Sequence, residues 1–268
     1  MTRDPEGPER AKQTAARAAL AELRPGMKIG LGTGSTAAWF LRELARLIRQ
    51  DGMRVVGVPT SVRTGEMAER LGIPLTTLDE AGWLDLTVDG ADEIGPGLTL
   101  IKGGGGALLQ EKIVAAASDR MVVIADQSKL VDRLGAFPLP VEVVPFGWQV
   151  TRAMIEEVMA DAGLPGQRTT LRMNRDEPFV TDEGHFILDL HCGLIERPGE
   201  LAAALTQLPG VVETGLFVGM ADLAIVGAPD GSLRRITPDG ETGAATDLLA
   251  PPDGGDAPGE SLFRGEGE

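Results

Sequence analysis

Residues 84–112 read L-D-L-T-V-D-G-A-D-E-I-G-P-G-L-T-L-I-K-G-G-G-G-A-L-L-Q-E-K. The apolar run over 84–88 has the length and composition of a buried strand. Asp89 and Asp92 follow at its C-terminal end, the edge of an open α/β sheet at which ligands bind. Four consecutive glycines, Gly103, Gly104, Gly105 and Gly106, are entropically costly to order. They make sense where backbone turns sharply or approaches a ligand closely. A helix over about 107–117 follows and carries Glu111 roughly one turn in. Residues 89–112 thus gather carboxylates, an ammonium group and a tetraglycine at a density that folding alone does not explain.

Around this segment, between residues 27 and 125, strand-like apolar runs alternate with helical patterns, as in a mostly parallel sheet covered by helices. Strands are expected over 27–31, 54–58, 73–78 and 121–125. One helix carries Trp39, Phe40, Leu44 and Leu47 on its apolar face, a second begins at Ser61, and an Ala-rich amphipathic helix covers 9–23. The pattern changes at Pro138. Strand 141–144, helix 151–162, strands 169–172 and 179–190, helix 201–207 and strand 211–217 give a β-α-β-β-α-β order, which suggests a ferredoxin-like lobe. Runs 223–226 and 233–236 read as strands returning to the first sheet. The expected fold is therefore α/β. A Rossmann-like, mostly parallel sheet domain is formed by residues 1–137 together with 218–238, and a smaller ferredoxin-like α+β domain, serving oligomerisation, spans 138–217.

Residues 239–268 hold eight acids against one base, Arg264, with seven Gly and three Pro. Such a composition predicts a solvated, disordered tail. The whole chain carries a net charge of −15, which argues against nonspecific nucleic-acid binding, since phosphate backbones need clustered Lys and Arg. No apolar run approaches the ~20 residues that span a bilayer, and the N-terminus lacks a signal-peptide pattern, so a cytoplasmic protein with no membrane partner is expected. The single cysteine, Cys192, excludes internal disulfides and cysteine-rich metal sites. No cluster of His, Cys, Asp and Glu has metal-ligand spacing, and no metal is expected.

Four features carry chemistry. G-L-G-T-G-S-T over 30–36 follows a strand and opens a helix, so free amides and the hydroxyls of Thr33, Ser35 and Thr36 suit a phosphate beside Gly34. The same motif also reads as a glycine turn with a Ser or Thr cap; it lacks the third glycine of the dinucleotide fingerprint and the Lys of a P-loop. Asp89 and Asp92 could face one pocket or serve as loop caps. Glu111 reads as a ligand-site acid beside the tetraglycine or as a complement to the helix dipole. Lys129, after the strand over 121–125, could meet an anion or lie exposed. His191 and Cys192 are neighbours in a strand and point to opposite faces, so both are read as structural, and His185 as exposed near a hairpin turn.

Taken together, G-L-G-T-G-S-T (30–36), V-D-G-A-D-E-I (88–94), I-K-G-G-G-G-A-L (101–108) with Glu111 and Lys112, A-D-Q-S-K (125–129) and F-P-L-P-V-E-V-V-P (137–145) closely resemble the type A ribose 5-phosphate isomerases. The resemblance runs from about Lys12 to Ile236. It implies interconversion of ribose 5-phosphate and ribulose 5-phosphate through an enediolate, within the non-oxidative pentose phosphate pathway, with no metal or organic cofactor. It implies Glu111 as the base, with Asp89 and Lys102 assisting ring opening and proton movement on the oxygens. Substrate binding would fall to Thr33, Gly34, Ser35, Thr36, Asp89, Gly90, Ala91, Asp92, Lys102, Gly103, Gly104 and Gly105, and the phosphate to Lys129 and Lys12. A homodimer or homotetramer is implied as well. Gln110 departs from the basic residue many members carry there. A non-catalytic sugar-phosphate sensor on the same fold type is the competing expectation, since folds host unrelated functions. The acidic chain and the retained Glu111 and Lys102 count against it.

Overall fold

The computed structural model describes residues 7–245. In chain order these form α1 (Pro8–Ala19), β1 (Lys28–Leu31), α2 (Ser35–Asp51), β2 (Val56–Pro59), α3 (Val62–Leu71), α4 (Leu78–Ala81), β3 (Leu86–Asp89), β4 (Glu93–Ile94), β5 (Leu100–Ile101), α5 (Leu108–Ala116) and β6 (Met121–Asp126). There follow β7 (Leu139–Val143), α6 (Trp148–Asp161), β8 (Arg168–Leu171), β9 (Met173–Asn174), β10 (Glu177–Pro178), β11 (Phe186–His191), α7 (Pro198–Thr206), β12 (Val211–Thr214), β13 (Leu216–Phe217), β14 (Leu223–Gly227), β15 (Leu233–Thr237) and β16 (Gly240–Ala245).

The main sheet has seven strands in the order β16-β15-β14-β6-β3-β1-β2. The five from β14 to β2 are parallel, and β15 and β16 close the edge antiparallel. Its central strands are apolar throughout because both faces are covered. Val122, Ile124, Leu223 and Ile225 pack beneath α1 and α2 with Ala15, Phe40 and Leu44. Their alternates Val123, Ala125, Ala224 and Val226 pack on the opposite face with Ile94, Leu100 and Phe217, which belong to a three-stranded sheet, β13-β5-β4. Successive strands run outward from β1 in one direction through β2 and in the other through β3, β6 and β14. The order therefore reverses between β1 and β3, and a crevice opens at their C-terminal ends.

A second sheet, β12-β7-β11-β8, carries α6 and α7 on its apolar side. Strand order and alternation of helices match the β-α-β-β-α-β reading of this stretch. The α/β class and the mostly parallel sheet expected from the sequence are both present.

Four expectations need correction. The strand over 73–78 reduces to one bridge between Gly57 and Leu75, because Pro74 has no N–H to continue a ladder. Leu78 instead opens α4, held by a capping box in which Thr77 and Glu80 bond reciprocally. The strand over 179–190 is interrupted by a turn at 181–184, closed by the Gly184 N–H to the Thr181 carbonyl at 2.9 Å. His185, expected exposed, is half-buried: its Nδ1 lies 2.9 Å from Oε1 of the buried Glu142, which also accepts from Thr181 Oγ1. The acidic tail was expected to start at Asp239, yet residues 240–245 form β16, which pairs with β15; the rest of that stretch lies outside the described residues.

Candidate active site

Strand β3 delivers Asp89 to the crevice, and β1 delivers the turn 32–34 beside it. The two strands approach so closely that a Cβ on residue 32 would overlap the Asp89 carboxylate. Only glycine fits there. The Asp89 Oδ1 accepts from the backbone N–H of Thr33 at 3.0 Å and of Gly90 at 2.7 Å. Lys102 follows β5, whose pairing with β4 and β13 aims its side chain back at β3. Its Nζ donates to the Gly90 carbonyl at 2.6 Å and lies 3.0 Å from Asp89 Oδ2 and 3.2 Å from Glu111 Oε2. Glu111 projects from the first turn of α5, reached through the tetraglycine.

All three side chains are buried: Asp89 is 0 %, Lys102 2 % and Glu111 3 % exposed. Asp89 Oδ2 and Glu111 Oε2 are the oxygens that face the Lys102 ammonium, and both are shut off from solvent. One ammonium between two carboxylates leaves an excess negative charge in a medium that disfavours it. Burial, and then the charge of Asp89, push the Glu111 carboxyl up to about 8, with Lys102 opposing. Burial raises Asp89 also, against Lys102 and the N–H groups of Gly90 and Thr33. Burial works against the Lys102 charge, but Asp89 and Glu111 outweigh it and hold the ammonium above its ordinary range. Because Asp89 has two backbone donors and Glu111 has none of that kind, Asp89 is the better anion and Glu111 the better proton holder. A group titrating near neutrality suits a general base.

Asp92 joins from the loop after β3: its Oδ2 accepts from the Gly104 N–H at 2.7 Å. Gly104 and Gly105 are exposed on the crevice side, and Ala91 and Gly90 are half-buried between them and β3. At α2, Ser35 is exposed and Thr36 buried, and no side chain caps the amides behind Gly34, leaving a helix start that suits an anion. Thr33 contributes differently from the sequence expectation. Its hydroxyl is turned inward to Thr60 (2.8 Å), Ser61 (2.8 Å) and Thr64 (3.0 Å), so it braces the turn rather than offering an oxygen. Lys129 is half-buried after β6, two strands from β1, and has no ion-pair partner among the described residues. Lys12 sits on α1, whose Ala11 carbonyl lies against Gly227 at the end of β14; its Nζ pairs with Glu9 at 2.7 Å. The structure therefore gathers Asp89, Asp92, Lys102 and Glu111 into one cluster and sets the two outlying lysines along the same sheet edge. Among the described residues no group of His, Cys, Asp and Glu could hold a metal ion.

Sequence reasoning missed three neighbours of the glycine loop. The Arg172 Nη1 donates to the Gly103 carbonyl at 2.8 Å. Phe179 packs so tightly on Gly106, at φ +84°, that a Cβ there would overlap its ring. The Arg63 Nη2 lies 3.7 Å from where a side chain on Gly105 would begin. No local pattern marks these residues, since each lies far along the chain from the loop. A separate cleft of about 520 Å³ between α6 and α7 has only exposed charges, Asp161, Glu196, Arg197 and Glu200, and lacks the buried, perturbed groups of the β1–β3 crevice.

Comparison with known proteins places this geometry in context. The family model described as ribose 5-phosphate isomerase A (phosphoriboisomerase A) matches residues 56–231. A ribose-5-phosphate isomerase A of Ruegeria sp. is 56% identical over 226 residues, covering 84% of this chain and 86% of that protein. One from Cereibacter sphaeroides is 59% identical over 228 residues, covering 84% and 87%. Among solved structures, a D-ribose-5-phosphate isomerase in complex with phospho-erythronic acid superposes with a TM-score of 0.80 at 39% identity, covering 86% of this chain and 99% of that one.

Proposed function

The chain belongs to the ribose 5-phosphate isomerase A family, and we propose that it interconverts D-ribose 5-phosphate and D-ribulose 5-phosphate by moving one proton between C2 and C1 on Glu111. The observation that carries this reading is the single ammonium of Lys102 held between the buried carboxylates of Asp89 and Glu111. A proton next to a carbonyl is weakly acidic, so its removal needs a positioned base and a charge to meet the enediolate oxygen. With the sugar open, the Glu111 carboxylate takes the C2 proton, the C–H electrons form the C1–C2 double bond, and the O1 oxygen becomes anionic. Lys102 faces that charge. The proton then returns from Glu111 to C1 as O2 becomes the ketone, and Asp89 carries the proton that O2 loses and O1 gains. General-base help is typically worth ~10²–10⁴ in rate, and an oxyanion donor roughly 10²–10³.

Asp92, Gly90, Ala91 and the amides of Gly103, Gly104 and Gly105 would line the sugar, and the uncapped start of α2 at Gly34, Ser35 and Thr36 would receive the phosphate with Lys129 and Lys12. We assign these roles on placement along one sheet edge and on the phospho-erythronic acid bound by the related isomerase. Within the chain we divide a catalytic unit, residues 1–137 with 218–238, from an α+β unit, 138–217. The latter exposes Phe146 (92 %) and Val150 (66 %), an apolar patch suited to a homodimer or homotetramer contact. No helix among the described residues is long and apolar enough to cross a membrane, and we place the enzyme in the cytoplasm.

The deciding experiment incubates the purified chain with ribose 5-phosphate and follows the ketose product. Formation of ribulose 5-phosphate by the wild type and its loss in Glu111→Gln are expected. Tight sugar-phosphate binding without turnover by the wild type would establish a sensor instead.

A further inference from the structure

The peptide unit joining Gly103 to Gly104 is held at both ends. Its carbonyl, on Gly103, accepts from Arg172 Nη1 at 2.8 Å, while its N–H, on Gly104, donates to Asp92 Oδ2 at 2.7 Å. In a trans peptide these two groups point in opposite directions, so Arg172 and Asp92 fix the plane from opposite sides. The next carbonyl, of Gly104, is also within 3.2 Å of Arg172 Nη1. Glycine gives this loop no side chain of its own to define its shape, so the outside contacts decide it.

Arg172 is itself anchored. Its Nε donates to Asp189 Oδ2 at 2.9 Å, and its Nη2 pairs with Asp189 Oδ1. This two-point pairing leaves Nη1 facing the loop. The backbone around it is fixed as well: the Arg172 N–H donates to the Ile187 carbonyl, and the Phe179 N–H to the Arg172 carbonyl. Phe179 then packs on Gly106 and lies 6.0 Å beneath the guanidinium. Asp189 and Ile187 lie on β11 of the second sheet, and Arg172 and Phe179 flank the β9–β10 hairpin beside it, whereas Asp89 ends a parallel strand and Lys102 and Glu111 follow β5.

We propose that Arg172, held by Asp189, is a positioning residue for the isomerisation: through the Gly103–Gly104 peptide it sets the orientation of Asp92 and of the amides that line the sugar. From Arg172 through the Gly103–Gly104 peptide to Asp92 each group donates to the next, which strengthens each bond in that run, while Asp189 accepts from the other side of the guanidinium and holds it in place. Loss of the guanidinium frees the peptide to turn, and a displacement near 1 Å at the reacting centre costs up to about 100-fold.

This assignment rests on the isomerase reading, and one assay separates the two. Wild type, Arg172→Ala, Arg172→Lys and Asp189→Asn are compared for ribose 5-phosphate turnover and for thermal midpoint, with and without guanidinium chloride at tens of millimolar. We expect Arg172→Ala to lose about 10- to 100-fold in kcat, with KM moving far less, and guanidinium to restore part of that loss by occupying the gap between Asp189 and the Gly103 carbonyl. Arg172→Lys, which keeps the charge but not the fork, stays slow. Asp189→Asn is slowed while remaining folded. Turnover of Arg172→Ala within a factor of two of the wild type overturns the assignment, as does a loss that guanidinium leaves unchanged. If Arg172→Ala does not fold, a wild-type rate in Asp189→Asn overturns it. An inactive wild type instead removes the isomerase reading.

Discussion

Replacing Glu111 by Gln keeps shape and burial and removes the group proposed to take the C2 proton. The lost contribution is that of a general base, ~10²–10⁴ in kcat, and sugar-phosphate binding, which relies on other groups, survives. Stability moves the other way. A carboxyl whose folded-state pKa is raised to about 8 from 4.5 binds its proton more tightly in the folded chain. Its stabilising effect is complete below the unfolded value and is lost as pH rises through the folded one. Gln mimics the protonated form at every pH. Glu111→Gln should therefore melt near the wild type at pH 4 and above it at pH 9, by on the order of a few kcal/mol. In the wild type, kcat/KM should climb between pH 6.5 and 8.5 as the free base ionises, with a midpoint of about 8. Ketose formation gives the rates, and circular-dichroism melts at the two pH values give the stabilities. Wild-type turnover in the variant, or a kcat/KM flat across that window, would refute the assignment of the base.

Lys102→Met removes the charge proposed to face the enediolate and leaves two buried carboxylates against each other; kcat should fall roughly 10²–10³-fold and stability by about 3–5 kcal/mol, the latter read from urea unfolding. Lys129→Ala should raise KM for ribose 5-phosphate about tenfold or more with kcat little changed, by loss of one phosphate contact worth ~1.5–3 kcal/mol; an unaltered KM would move the phosphate elsewhere. Gly106→Ala sets a methyl against the Phe179 ring at a positive φ, and should cost about 1–3 kcal/mol in thermal stability with a reduced kcat; a melt identical to wild type would show that the loop yields freely.

Much of the architecture was legible in the chain because both faces of the parallel strands are covered, which makes 121–125 and 223–226 nearly continuous apolar runs. The cluster of Asp89, Asp92, Lys102 and Glu111 was legible because it lies within one short segment between β3 and α5. What the sequence hid depends on pairing between distant strands. Gly32 reads as one glycine of a turn that opens a helix, yet it makes room for Asp89, a neighbour that only the β1–β3 pairing reveals. The hydroxyl of Thr33 reads as a donor to phosphate and is turned to Thr60, Ser61 and Thr64. Arg172 lies 69 residues from the carbonyl it holds, and no periodicity connects them. At 73–78 the apolar pattern suggested a strand, but Pro74 outweighed it.

The fit of Asp89 into the space beside Gly32 ties the histories of two positions together. As long as residue 89 carries a carboxylate, every substitution at 32 that adds even a methyl group must push against it. The backbone Cα of residue 89 lies in the same space, so position 32 stays closed to a side chain even if the acid at 89 is given up. A descendant that kept this framework for another purpose could lose the acid at 89 and would still carry the glycine at 32, as a trace of the strand pairing rather than of the chemistry.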